Sequence, residues 1–306
     1  MKKIHLGIIA AVIVIVIVIV IAASVFRYYT AQTAMSQAKD LFDSSDEKYA
    51  QAMEYWDEND YAGARIKLAG AKTDVEEGKK YLEKADIEPA RKQFALYWCD
   101  AWSNLINCVI RLSDAFEDYD QAMLRWGYGD WDGVVTKFLD AMEDINQAQP
   151  YFLSAKEDFD LIDVEVLPSE LKSYVTESQA YFSEYEALLP DFSGTIDAFI
   201  PFVRGLSHLP EGASYLERED WHAAKIAFGD SLSKIREAKG KFDTLRYCET
   251  TYYASLAAEL YSATNTMEEG LAHYITGCEY AEAGYYSSAT TEFETGYTIL
   301  EEVPWA

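Results

Sequence analysis

Apolar residues return every three or four positions through most of this chain, and the pattern restarts four times. Each restart is an aromatic residue: Tyr61, Trp131, Trp221 and Tyr286. The first stripe runs Tyr61, Ala64, Leu68, Ala71, Val75, Gly78, Leu82, and the second Trp131, Val134, Phe138, Ala141, Ile145, Ala148, Phe152. The third is Trp221, Ala224, Phe228, Ser231, Ile235, Ala238, Phe242, and the fourth Tyr286, Ala289, Phe293, Gly296, Leu300, Val303. This period predicts helices with one buried face. Large side chains alternate with small ones along the face, which suits close packing of a neighbouring helix. Asp60, Asp130 and Asp220 each stand just before an anchor, where a carboxylate can accept the free N–H groups of the first turn.

A second stripe precedes each anchor. Its copies are Phe42, Asp46, Tyr49, Met53, Trp56; Leu112, Phe116, Tyr119, Met123, Trp126; Phe202, Leu206, Leu209, Ala213, Leu216; and Met267, Leu271, Tyr274, Cys278, Ala281. All but Asp46 are apolar. The links between paired stripes are short: Asp57 to Asp60, Gly127 to Asp130, Glu217 to Asp220 and Glu282 to Tyr285. Two amphipathic helices on a short link make an antiparallel hairpin. The expected hairpins cover about 28–84, 89–160, 192–243 and 244–303, with an extra helix at about 169–189 between Pro168 and Pro190. Pro150 is expected to kink or end its helix, and Pro201 to break the helix that holds it. Residues 162–167 alternate, but the segment is short and isolated, so no strand is expected.

The N-terminus reads differently. Leu6 to Phe26 carries no charge and is 21 residues long, roughly 31 Å as a helix, enough to cross a bilayer core. Lys2 and Lys3 before the run, against Arg27 and Lys39 after it, place the N-terminus in the cytoplasm. Residues 1–27 are thus expected to be a single-pass anchor and residues 28–306 an extracytoplasmic helical domain. The competing readings are a signal peptide cut near Ala22-Ala23-Ser24 and a pilin-type signal cut after Gly7.

Together these stripes predict an all-α protein, an array of antiparallel helical hairpins after one N-terminal transmembrane helix. The hairpins resemble tetratricopeptide repeats. The family's small first-helix residue corresponds to Ala52, Ala122, Gly212 and Gly277, and its tyrosine to Tyr55, Tyr215 and Tyr280, with Arg125 departing. Its second-helix pattern corresponds to Trp221-Ala224-Phe228-Ser231 and the equivalent positions. The family repeats about every 34 residues, whereas these anchors are 70, 90 and 65 residues apart. The resemblance implies a tetratricopeptide-like solenoid or elongated bundle that binds proteins on the face of its first helices. Tyr49, Met53, Trp56, Tyr119, Met123 and Trp126 are the partner-binding candidates, weighed against a plain core role for the same rings and thioethers.

Charge and chemistry narrow the function. With 52 acids against 26 Lys and Arg the formal charge is −26, which argues against nucleic acid. The four histidines are His5, His208, His222 and His273, and none has the spacing of a zinc or di-iron site. Glu219 with His222 is a lone pair at a helix start, and the acidic loops lack the calcium-loop spacing. No phosphate loop, dinucleotide fingerprint or nucleophile elbow occurs. No catalytic set, metal or cofactor is expected. Four cysteines, Cys99, Cys108, Cys248 and Cys278, read as buried thiols, with Cys108 to Cys248 a candidate disulfide in an oxidising compartment. The expected function is a membrane-anchored scaffold for other envelope or membrane proteins. The competing roles are an envelope or filament subunit, the ectodomain of a multi-protein sensor and, last, an enzyme.

Overall fold

The structure, a computed structural model, describes residues 33–167 and 169–303. The expected span at residues 6–26 and Pro168 lie outside the described residues. None of the described helices is long and apolar enough to cross a membrane. Among the described residues every regular element is a helix. In chain order they are α1 (Thr33–Asp57), α2 (Tyr61–Lys84), α3 (Pro89–Gly127), α4 (Trp131–Asp160), a single 3-10 turn (Val164–Val166), α5 (Ser169–Tyr185), α6 (Leu188–Ser207), α7 (Leu209–Glu217), α8 (Trp221–Leu245), α9 (Thr251–Glu282) and α10 (Tyr286–Glu301). The alternating segment 162–167 holds the 3-10 turn, opened by Glu165 N–H donating to Asp163 at 3.0 Å.

All four aromatic anchors are first residues of helices. The turn before each anchor is built the same way. Asn59, Gly129, Glu219 and Gly284 take positive φ of 61°, 70°, 58° and 83°. Their N–H groups donate to Trp56, Trp126, Leu216 and Ala281 carbonyls at 2.9–3.0 Å. The next residue in each turn donates its N–H to Tyr55, Arg125, Tyr215 or Tyr280. This is the Schellman arrangement, which satisfies carbonyls that a helix end would leave bare. In three turns that same next residue is the cap of the following helix. Asp60, Asp130 and Asp220 accept from the N–H of Gly63, Gly133 and Ala223 at 2.9, 3.1 and 3.1 Å. Tyr285 holds the position in the fourth turn and makes no side-chain cap.

The chain divides into two compact units: residues up to Glu117 with Glu143–Leu189, and Asp118–Met142 with Pro190 onward. In the first unit every residue of the α2 stripe from Tyr61 to Leu82 is buried. Its core is aromatic. Phe42 meets Trp98 edge-on with centroids 5.5 Å apart, Tyr49 tilts on Trp102 at 5.1 Å, and Trp56 sits 5.3 Å from Phe116. Burying such a ring contributes about 1.5–3 kcal/mol. The α3–α4 pairing is antiparallel here, since Arg111 reaches Asp144 and Asn104 donates to Asp158. α5 seats Phe182 against Phe152 and Phe159.

The second unit is organised around α8 and α9. Ala224, Phe228, Ile235, Ala238 and Phe242 from α8 share one core with Phe202, Leu206, Met267, Leu271 and Cys278. Ser231, the polar member of the stripe, donates to the Gly205 carbonyl at 2.8 Å, so its hydroxyl is satisfied while buried. Tyr119 against Phe138, at 5.9 Å, carries the α3–α4 antiparallel pairing in this unit.

Pro150 does not end its helix, and the break expected at Pro201 is corrected. α4 runs through Pro150 to Asp160, and α6 runs through Pro201 to Ser207. Pro201 cannot donate to the Asp197 carbonyl four residues back. Lys241 does so instead, its Nζ lying 3.3 Å from that carbonyl and 2.8 Å from the Asp197 carboxylate. The break falls six residues later, between α6 and α7, where Pro210 occupies the first turn of the new helix. It resets the helical phase: Gly212 is buried, and Ala213, expected in the stripe, is exposed. All four cysteines are free thiols, so the candidate disulfide is not formed.

Candidate functional site

The six sequence candidates divide by burial. Tyr49, Trp56 and Tyr119 retain 2%, 7% and 7% of their surface. They are core side chains, which favours the plain core role that the sequence left open beside the groove role. The cause is that their stripe faces the return helix and the helix beyond, through Trp102, Phe116 and Phe138. The Tyr49 hydroxyl is buried without a hydrogen-bond partner among the described residues, and burial, then the neighbouring Cys108, raises the phenol's pKa well above its ordinary value. Met53, Met123 and Trp126 are half-buried, Trp126 against Trp131 at 5.8 Å and Phe202 at 6.4 Å.

A cluster of solvent-facing aromatic rings is on the last hairpin, while Tyr128 and Tyr247 stand exposed elsewhere. A cleft of about 470 Å³ opens between the α7–α8 and α9–α10 hairpins of the second unit. Leu216 of α7, Trp221 of α8, Tyr274 of α9 and Tyr286, Phe293 and Tyr297 of α10 line it, together with Glu294. Outside the lining, Tyr280 and Tyr285 meet edge-on at 6.5 Å. Tyr285, Tyr286 and Tyr297 are 64%, 63% and 57% exposed, unusual for rings of this size.

Local sequence sets this geometry. Gly277 and Gly296 let α9 and α10 approach closely: a Cβ on Gly277 would lie 2.5 Å from Phe293, and one on Gly296 2.9 Å from the Gly270 carbonyl. Phe293 is therefore held between Trp221, stacked at 6.1 Å, and Tyr274, tilted at 5.9 Å. Tyr286 is the fourth anchor. Its counterpart Trp221 is covered in part by Phe293, while Tyr286 stands in the open.

The electrostatics are one-sided. Glu282 is taken up by Lys225 at 2.6 Å and His222 at 3.1 Å, which hold its pKa below the ordinary range, Lys225 first. Glu292 pairs with His273 at 2.6 Å. Glu294 has no ion-pair partner among the described residues. Tyr297 hydrogen-bonds Glu301, which raises the pKa of its phenol. Burial raises that of Tyr274. No cluster of three or more His, Cys, Asp or Glu that could hold a metal occurs among the described residues. The metal readings of Glu219 with His222 and of the acidic loops thus gain no ligand set there.

The first-helix stripes carry no sign of this site, but the composition of the C-terminal segment does. Residues 247–306 contain nine tyrosines and ten glutamates and no Lys or Arg. No protein-family model, no curated protein and no solved structure matches the chain.

Proposed function

We propose that this protein is a membrane-anchored, tetratricopeptide-like scaffold that mediates protein–protein interactions at the cell envelope. The observation that carries this reading is the aromatic cleft, two of whose lining rings, Tyr286 and Tyr297, are each more than half exposed. Tyrosine and tryptophan are the residues that concentrate binding energy at protein interfaces. The family resemblance draws support from four turns of one design and from small first-helix residues facing a second-helix Phe. Gly212 lies against Phe228 as Gly277 lies against Phe293. The anchor itself rests on the uncharged run from Leu6 to Phe26.

The test is site-specific photocrosslinking of the full chain in native membranes. A photoreactive phenylalanine at Tyr286 or Tyr297 should yield discrete adducts with other proteins. The same probe at Ile66, 72% exposed on α2, is the control. Equal, diffuse labelling from all three positions would count against a docking site on the last hairpin.

A further inference from the structure

We propose that the cleft beside α10 receives a lysine or arginine side chain of a partner polypeptide. This deepens the docking reading above and rests on it. Three observations converge on a cation. First, rings from Trp221, Tyr274, Tyr286, Phe293 and Tyr297 line one space, and aromatic faces attract a cation placed over them. Second, Glu294 lines the same space with no ion-pair partner among the described residues, while Glu282 and Glu292 have theirs. Third, residues 247–306, which supply most of the lining, carry ten glutamates and neither Lys nor Arg, with Glu268, Glu282 and Glu292 paired to Lys, Arg or His side chains. Such a field attracts basic segments and speeds their encounter. Lys225, on the neighbouring α8, is already bound by Glu282.

The same charge argues against the other occupants. A second copy docking through this face would set one Glu294 and its acidic hairpin against another, and like charges juxtaposed at an interface cost several kcal/mol. An anionic ligand meets the same repulsion. The volume, about 470 Å³, falls within the range of clefts that take small ligands, which is room for a long side chain.

The experiment uses the full chain in nanodiscs and a fluorescent peptide, Gly-Gly-Arg-Gly-Arg-Gly-Gly, capped at both ends and read by anisotropy. Its control replaces both arginines with citrulline, which keeps the shape and removes the charge. The arginine peptide should bind at least about tenfold tighter than the citrulline peptide, and added salt should weaken it. Glu294→Gln should reduce affinity about fivefold and Tyr286→Ala about tenfold, whereas Tyr297→Phe, which keeps the ring, should change it less than about twofold. Glu294 and Tyr286 are exposed, so both variants should unfold within a degree or two of wild type.

Equal binding of the two peptides would overturn the proposal, as would indifference to Glu294→Gln and Tyr286→Ala together. Saturable binding of tetramethylammonium that displaces the peptide at lower concentration would assign the cleft to a small cation and overturn it too. So would protein self-association that Tyr286→Ala abolishes. Crosslinks at Tyr286 without arginine preference would sink this inference and leave the docking reading standing. Loss of both would sink the two together.

Discussion

Gly277 lies against the edge of Phe293, so closely that a Cβ on the glycine would stand 2.5 Å from the ring's Cε1. In the first hairpin the equivalent positions are Ala52 and Leu68, both fully buried. The two copies thus exchange volume across the helix pair. Gly277→Ala should gain helix propensity of about 1 kcal/mol but lose more to overpacking, about 1–3 kcal/mol, for a net loss. Adding Phe293→Leu should recover part of that loss. A double-mutant cycle by denaturant titration measures the coupling, and strict additivity would show that the two residues do not exchange volume.

The caps should be separable from the rest of the turn. Asp220→Ala removes the acceptor of the Ala223 N–H and should cost about 1 kcal/mol. The fourth turn has the same backbone bonds but Tyr285 in the cap position. Tyr285→Asp should therefore stabilise, by roughly 0.5–1 kcal/mol. Thermal unfolding of the two variants should move in opposite directions.

Lys241 stands in for the N–H that Pro201 lacks. Lys241→Met keeps the apolar stem but loses the donor to the Asp197 carbonyl and should cost about 1 kcal/mol. In a Pro201→Ala background the residue-201 N–H can reach that carbonyl, so the same change should cost less. Equal costs in the two backgrounds would show that the lysine does not replace the missing donor.

Acid should weaken the α8–α9 pairing through Glu268. Hydrogen bonds from Lys239 first, then Arg236, lower its pKa in the folded chain. A carboxylate with a depressed folded pKa adds stability above its unfolded value, about 4.3. That contribution fades as pH falls from there through the lower folded value. The group is a quarter exposed, so solvent screening limits the effect to about 1 kcal/mol or less. Glu268→Gln should be less stable than wild type at pH 7, and the gap should close at pH 3.

The thiols should resist alkylation while the chain is folded. Burial pushes Cys108 up to about 12 and Cys278 to about 11, and raises Cys99 further. Cys248 also rises to about 11, through burial and then the Asp191 carboxylate, but it alone is not fully buried. Iodoacetamide at pH 8 should modify Cys248 first and slowly, and all four cysteines only after denaturation.

Local signals were the readable part of this sequence. Tyr61, Trp131, Trp221 and Tyr286 each begin a helix because the cap and the αL turn are decided within a few residues of the anchor. The stripes followed from periodicity, and Phe138, Ile145, Phe228 and Ile235 are core. The path through Pro201 was not readable, because what satisfies the bared carbonyl is Lys241, 40 residues further on. Nor was the difference between Tyr49 and Tyr286. Both lie on an apolar stripe, yet one is 2% exposed and the other 63%. Periodicity identifies a face that can be covered; only the neighbouring helix decides whether it is.

The repeated turn also bears on how the chain acquires its structure. Each one completes its bonds within a span of nine residues, from Tyr55 to Gly63 in the first instance. Closing so short a loop carries little entropic penalty, and the helices it joins pair with near neighbours in sequence. Four such nuclei can form independently, so collapse is expected on a sub-second timescale without waiting for distant segments to meet.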